Sequence, residues 1–309
     1  MSGGIGDHVL EESRIMVHRV RRALRRASAA AALCGALAMA AGGCTASGGD
    51  DADASGRPTA SPTAGPGGGG KVVLPEPGVR FDYQIGGSYR PPAGVRAVSR
   101  DRTAKPAPGV YSICYVNAFQ AQPDADGWWQ AHHPDLLLRD ADGTPVVDRD
   151  WDEALLDIST AAKRKRLAGI VGKWIDDCAA AGFQAVEADN LDSHERSDGL
   201  LTAEDNVAFG KLLAARAHAA GLAIGQKNAA GLARQGRGLG FDFAVAEECG
   251  QYDECGAYAD AYDDRVFVIE YRSDGLAAAC AEWGDRLSVV LRDLDVVPAG
   301  EAGYRRRTC

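Results

Sequence analysis

Two apolar runs in this chain end in acids. Val186-Glu187-Ala188-Asp189-Asn190-Leu191-Asp192 reads as a short buried strand that breaks into carboxylates and amides, and Phe241-Asp242-Phe243-Ala244-Val245-Ala246-Glu247-Glu248 repeats the pattern further along. Acids at the end of a buried strand are costly unless they are paired or used. Two carboxyls at neighbouring strand ends can divide acid and nucleophile work, one protonating a leaving oxygen while the other attacks an anomeric carbon or activates water. Burial and nearby charge can separate their pKa values. Strand alternation puts Glu187 and Asp189 on one face. Asp189, at the exit, is the better placed reactant, and Glu187 suits a deeper supporting layer. In the second run Glu247 shares a face with Phe243 and Val245, and Glu248 with Asp242, Ala244 and Ala246. Glu247 is favoured, with Glu248 as the alternate.

The elements that must hold these acids follow from the wider pattern. β-rich runs alternate with helical periodicity, which argues for a parallel sheet covered by helices. Strand candidates are Arg80–Ile85, Gly94–Val98, Gly109–Tyr115, Gln184–Asp189, Ala223–Gln226, Phe241–Ala246, Val266–Tyr271 and Arg286–Leu291. Eight strands fit a closed α/β (β/α)8 or TIM barrel. A dinucleotide-binding sheet would carry a Gly-rich loop after its first strand, whereas Gly236-Arg237-Gly238-Leu239-Gly240 comes late and precedes a strand. Helices are expected over Ser159–Ala180, with a basic run Lys163–Arg166 on a solvated early turn, and over Ala203–Ala220, capped by Thr202. Between the third strand and the first long helix, Asn117–Asp157 is too long for an ordinary loop.

In such a barrel the C-terminal strand ends supply the reacting groups. Read in order, they offer Asp82 and Gln84, then Asp101, Tyr115 and Asn117, Asn190 and Asp192, Lys227 and Asn228, Glu270 and Tyr271, and Arg292. These are candidate substrate-binding residues. Lys227 and Arg292 are candidates for keeping a carboxylate ionised, and Trp128, Trp129 or Trp151 for stacking on sugar rings. Carboxylates at a barrel mouth also form salt bridges that only hold loops, and tryptophans in an insertion also build a small core.

At the N-terminus, Arg19, Arg21, Arg22, Arg25 and Arg26 precede an Ala-rich run from Ala27 to Ala41, the pattern of an export signal. Ala41-Gly42-Gly43-Cys44 fits a lipoprotein cleavage site, so residues 1–44 are read as a signal peptide, with Met16 an alternative start and Cys44 the lipidated residue. Residues 45–70, rich in Gly, Ser, Thr, Pro, Ala and Asp, form a flexible linker. Residues 71–309 form one domain. The expected product is an exported monomer, anchored to the membrane only through lipid or else secreted.

The formal charge is −9, and loss of the Arg-rich segment makes the remainder more negative still. An acidic domain is a poor nucleic-acid partner. Cys114, Cys178, Cys249, Cys255, Cys280 and Cys309 suggest disulfides in an exported protein. Cys249 with Cys255 and Cys280 with Cys309 are the first candidates, although spacing alone cannot fix the connectivity. No metal is expected, because the cysteine spacings are irregular and the domain's histidines are His132, His133, His194 and His218.

Four separated blocks carry a resemblance: Phe81-Asp82-Tyr83-Gln84-Ile85-Gly86-Gly87, Ile113-Cys114-Tyr115-Val116-Asn117-Ala118, Glu187-Ala188-Asp189-Asn190-Leu191-Asp192 and Glu247-Glu248-Cys249. From about Phe81 onward the chain resembles family 114 of the glycoside hydrolases, the endo-α-1,4-polygalactosaminidase family. The resemblance implies a (β/α)8 barrel acting on α-1,4-linked galactosamine polymers, without metal or organic cofactor. It implies a nucleophilic Asp after the fourth strand and an acid/base Glu after the sixth. Those positions correspond to Asp189 and Glu247, with Glu248 leaving the second loose by one residue. The placement is also similar to α-galactosidase barrels, which retain configuration. A polymer with free amines is cationic, and Asp82, Asp101 and Asp192 are candidates for pairing with its ammonium groups. The competing class is a non-catalytic polysaccharide-binding lipoprotein on the same scaffold; loss of a catalytic acid would mark it, and both acids are present. Scarce histidine disfavours a metallohydrolase, and the lack of a nucleophile-elbow pattern disfavours a serine esterase.

Overall fold

The computed structural model describes residues 71–309. The expected signal peptide, Cys44 and the 45–70 linker lie outside the described residues. Eight parallel strands form the main sheet: β1 Phe81–Gln84, β2 Ala97–Asp101, β3 Tyr111–Asn117, β7 Ala185–Asp189, β8 Ala223–Lys227, β9 Phe243–Glu247, β10 Val266–Glu270 and β11 Ser288–Arg292. The segment between β3 and β7 holds a small antiparallel sheet of β4 Gln120–Ala121, β5 Val147–Asp148 and β6 Glu153–Leu155, and the short helix α1 Asp126–His132. The other helices are α2 Ala161–Ala181, α3 Ala203–Ala219, α4 Ala233–Leu239, α5 Cys255–Tyr262 and α6 Ser273–Trp283. Strand β12, Arg306–Thr308, returns antiparallel on β11.

All eight expected strands are present, and the second, third, sixth and eighth begin two or three residues later than expected. The second and third begin at Ala97 and Tyr111 rather than at Gly94 and Gly109, because both glycines take positive φ in the preceding turns, +83° and +71°. The α/β alternation is irregular at the start. Among the described residues no helix separates β1 from β2 or β2 from β3.

The sheet curls into a barrel because its inward positions share one core. Phe81, Tyr83, Ala97, Ile113, Ala185, Ala223, Phe243, Val245, Phe267, Ile269 and Val290 come from all eight strands and form a single buried cluster. The intervening positions, such as Val186, Ile224, Ala244 and Val268, join the outer core against the helices. Phe267 lies between Phe81 and Phe243, with ring centroids 4.7 and 5.8 Å away. A Cβ on Gly225 would stand 2.6 Å from the Phe243 ring, so β8 gives up a side chain to admit that ring. At the seam β1 and β11 lie side by side, and β12 stitches them. It pairs with β11 while Arg306 donates to the Phe81 carbonyl at 3.0 Å and pairs with Asp82 at 3.0 Å.

Helix α2 is capped by the Thr160 side chain, and α3 by a Thr202–Asp205 capping box. The basic run at the start of α2 is stitching: Lys163 pairs with Asp157, Arg164 with Asp205 and Arg166 with Asp135. Three disulfides join Cys249 to Cys255, Cys280 to Cys309 and Cys114 to Cys178. The first two pairings are those the sequence put forward, and the third ties β3 to α2. No helix among the described residues is long and apolar enough to cross a membrane.

Filling the space at Gly225 should strain the barrel interior. Gly225→Ala is expected to cost about 1–3 kcal/mol in urea unfolding, and adding Phe243→Leu should recover part of that loss. An unchanged midpoint for Gly225→Ala would show that the ring is not confined.

Candidate active site

At the C-terminal mouth, the inward positions of three adjacent strands bring Glu187, Asp189, Lys227 and Glu247 together. The Lys227 ammonium lies 3.0 Å from Asp189 Oδ1, 3.2 Å from Glu187 Oε1 and 3.2 Å from Glu247 Oε2. Its side chain is 2% exposed. Burial works against its charge, but Asp189, Glu247 and Glu187 together outweigh that and drive its pKa well above the ordinary value. The ammonium also approaches the faces of Tyr83 and Tyr115, 5.9 and 5.8 Å from the ring centroids.

Glu187 is fully buried beneath this layer. It accepts from Tyr83 Oη at 2.8 Å and Ser99 Oγ at 2.6 Å, and burial raises its pKa against the pull of Lys227. Asp189 sits one step higher with 16% of its side chain exposed. It accepts from Tyr115 Oη at 2.6 Å, from Lys227, and from the Asn190 backbone N–H at 2.9 Å. Burial raises its pKa, yet Lys227 and these donors prevail and the net shift is downward. Burial holds the Tyr83, Tyr115 and Tyr271 phenols well above their usual range, so they remain donors.

Glu247 continues the inward phase of Phe243 and Val245, and 24% of its side chain is exposed. Its Oε2 accepts from Asn228 Nδ2 at 3.0 Å, its Oε1 accepts from Tyr271 Oη, and its backbone N–H donates to Asn228 Oδ1 at 2.8 Å. Glu248 takes the opposite phase. Each of the three strands leaves the barrel through left-handed residues just after its inward group: Asn190 (φ 66°), Asn228 and Ala229 (47° and 59°) and Glu248 (56°). Such conformations are disfavoured for side-chain-bearing residues, and they cluster where surrounding contacts hold them in place.

A second polar network joins the mouth to the small sheet. Asn117 Nδ2 donates to Glu153 at 2.8 Å, and Asn190 Nδ2 donates to Asn117 Oδ1 at 2.9 Å. Arg196 donates to Asn190 Oδ1 and pairs with Asp192 at 2.7 Å and Asp148 at 3.0 Å. Tyr115, Asn117, Asn190, Lys227 and Tyr271 are therefore all brought to the carboxylate cluster or its rim.

Other expected binding residues are placed differently. Asp82 and Gln84 occupy the outward phase of β1 and are fully buried; Asp82 is neutralised by Arg306, and Gln84 donates to Asp82 and accepts from Arg100. With no helix covering that stretch of sheet, polar side chains fill the space. Asp101 caps its own turn by accepting from the Thr103 N–H at 2.8 Å, and Asp192 is held by Arg196. All three acids expected to meet substrate ammonium groups thus already have partners. Arg292 is buried and braces the C-terminal segment through the Arg305 and Val297 carbonyls, leaving Lys227 as the cation of the cluster. Glu270 points outward on β10 and accepts from the Gly250 N–H at 2.8 Å; burial raises its pKa to about 7. Trp129 is buried and packs edge-on to Trp174 in the outer core, whereas Trp128 is 41% exposed and stacks on His132.

Tyr83 was met only as a polar residue at the end of the first strand, and Ser99, Glu153 and Arg196 were missed as site residues. Tyr83 and Ser99 lie on the inward phase of their strands, which counting by twos could have revealed. Glu153 reaches the mouth through the folding of the insertion and Arg196 through the turn that follows β7, and no local pattern marks either as a site residue.

The crystal structure of Aspergillus fumigatus Ega3 in complex with galactosamine matches with a TM-score of 0.61 and 24% identity, covering 77% of this chain and 98% of that one. The glycoside hydrolase domain of PelA from Pseudomonas aeruginosa matches with a TM-score of 0.50 and 15% identity, covering 72% and 97% respectively. At these identities the likeness is one of fold. No curated protein sequence gives a significant match. The profile of glycoside-hydrolase family GH114 matches residues 62–309, a span that includes every strand of the barrel and all three inward carboxylates. The chain belongs to glycoside-hydrolase family GH114.

Proposed function

We propose that this domain hydrolyses internal α-1,4 linkages of a galactosamine-containing polysaccharide with retention of configuration, Asp189 acting as nucleophile and Glu247 as general acid/base. One observation carries the reading. Asp189 and Glu247 share a single ammonium at 3.0 and 3.2 Å, which caps the separation of those two oxygens at 6.2 Å. Retaining pairs stand about 5–5.5 Å apart, and inverting pairs about 6.5–9.5 Å.

The environments suit the two roles. Lys227, Tyr115 and the Asn190 N–H favour the ionised form of Asp189, which a nucleophile requires. Asn228 and Tyr271 orient the Glu247 carboxyl. In the first step Glu247 gives a proton to the glycosidic oxygen as Asp189 Oδ attacks the anomeric carbon, and the aglycone leaves with that proton. In the second, Glu247 removes a proton from water, whose oxygen displaces Asp189 and restores both groups. Glu187 is wholly enclosed and serves as a buried support.

The acidic domain favours a cationic polymer, and galactosamine is the sugar named with Ega3. The three disulfides fit an oxidising compartment. Export and a lipid anchor at Cys44 complete the proposal, and fatty-acid labelling lost in Cys44→Ser would test the anchor.

Asp189→Asn and Glu247→Gln are each expected to cut reducing-end release from partly deacetylated α-1,4-galactosamine polymer by about 10²–10⁴-fold, with Glu248→Gln close to wild type. Full activity in Glu247→Gln would move the acid/base elsewhere, and binding of polymer without cleavage by the wild type would favour a capture protein. The first-formed anomer, followed by NMR, should be α; a β product would overturn retention.

Lys227 makes a pH prediction. Removing its charge should raise the Asp189 pKa, so less nucleophile is ionised at a given acid pH. The acid limb of the kcat/KM profile should therefore move to higher pH in Lys227→Met. A limb unmoved, or moved to lower pH, would contradict this assignment.

A further inference from the structure

The outward face of β8 carries a buried polar side chain that the mechanism does not use. Gln226 alternates with the inward Gly225 and Lys227, is fully buried, and faces α4 and α5. An apolar residue would suit such a position, since a buried amide must have all its hydrogen-bonding groups satisfied. Those of Gln226 are. Its Nε2 donates to the Asn228 carbonyl at 2.9 Å and the Ala229 carbonyl at 3.0 Å, and its Oε1 accepts from Tyr262 Oη at 2.6 Å. Carbonyls only accept, so the orientation of the amide is fixed by its partners.

The two carbonyls belong to the left-handed pair Asn228 and Ala229, at φ 47° and 59°. Two such residues in succession, neither of them glycine, persist only where the surroundings impose the conformation. The Gln226 amide holds both peptide units. The same turn sets the direction of the Asn228 side chain, which meets Glu247 twice, at Oε2 and at the backbone N–H. Tyr262 closes the circuit. It ends α5, whose first residue Cys255 is bonded to Cys249, two residues beyond Glu247.

Space around the clamp is tight. A Cβ on Gly236 of α4 would fall 1.7 Å from Tyr262 Oη and 2.5 Å from Gln226 Oε1. Helix α4 presents a glycine where the phenol and amide meet, and burial keeps the phenol protonated as a donor by raising its pKa.

We infer that Gln226 and Tyr262 are positioning residues for the acid/base: they clamp the turn at 228–229 so that Asn228 holds Glu247 in line with the leaving oxygen. This rests on the proposed role of Glu247. The clamp touches no substrate and acts through Asn228 alone.

The test compares two leaving groups. Polymer cleavage needs a proton on the departing oxygen, whereas fluoride leaves an α-glycosyl fluoride of a galactosamine oligomer without one. Tyr262→Phe, which deletes one oxygen, and Gln226→Met, which keeps the length, are expected to lower kcat on polymer about tenfold or more. KM should stay within about twofold, and the initial burst of fluoride should fall less than about threefold. Asn228→Ala should give the same selective loss, and adding Tyr262→Phe to it should cost little more, since both act through one bridge. Thermal melts identify any variant that fails to fold, and the milder Tyr262→Phe then decides.

Equal losses on both substrates, or additive losses in the double variant, would make the clamp merely structural and overturn the inference. Unchanged kcat on polymer in Tyr262→Phe and Gln226→Met would do the same. If Glu247→Gln itself cleaves polymer at the wild-type rate, the reading of the site fails first, and this inference fails with it.

Discussion

The Lys227 ammonium is the interaction around which the mouth of this barrel is organised. A cation sealed from water is tolerable only if charge and hydrogen bonds replace its hydration. Here Glu187, Asp189 and Glu247 do so from below, beside and across. The dependence is mutual, because three converging carboxylates would repel one another without the cation. It also sorts them by depth. The enclosed Glu187 is satisfied by Tyr83 and Ser99, while Asp189 and Glu247 keep part of their surface open to a reactant.

Holding three charged groups on one nitrogen requires the strand ends to be positioned closely, and backbone conformation supplies that. Left-handed residues immediately after Asp189, Lys227 and Glu247 turn the chain sharply away, so each side chain is the last inward group of its strand. The Asn190 N–H is thereby directed at Asp189, and the Asn228 amide at Glu247. Strain in these turns is offset by neighbouring side chains, among them Arg196 on Asn190 and Gln226 on the 228–229 turn.

The opposite side of the barrel spends its charges on closure. Asp82, Gln84, Arg100 and Arg306 make a buried outward-facing cluster where helices are missing, and β12 with the Cys280–Cys309 bridge covers the seam between first and last strands. Residues of the same chemical types thus converge on Lys227 on one arc of the mouth and serve assembly on the other. Which role an acid takes depends on whether its strand phase points into the barrel.

Much of this was legible in the chain. Period-two and helical patterns located all eight barrel strands and both long helices, because burial on a sheet face or helix stripe constrains residue type locally. The same alternation put Glu187 and Asp189 on one face, while it left two phases open for Glu247 and Glu248, between which the fold chose Glu247. The tertiary structure alone decided which polar side chains meet. Asp82, Asp101, Asp192 and Arg292 looked like cleft residues, yet Asp82 is taken up by Arg306 from far along the chain, and Asp101, Asp192 and Arg292 are held by Thr103, Arg196 and the Val297 carbonyl, close in sequence, once their turns have folded. Trp129 looked like a sugar platform and became core because α2 brings Trp174 against it. Glu153 arrives by the reverse route, from an insertion whose path no local pattern specifies, and Arg196 from the turn that follows β7. Local sequence determines which face of an element a side chain occupies, whereas its partner is set by long-range packing. Charge pairing is a property of the pair.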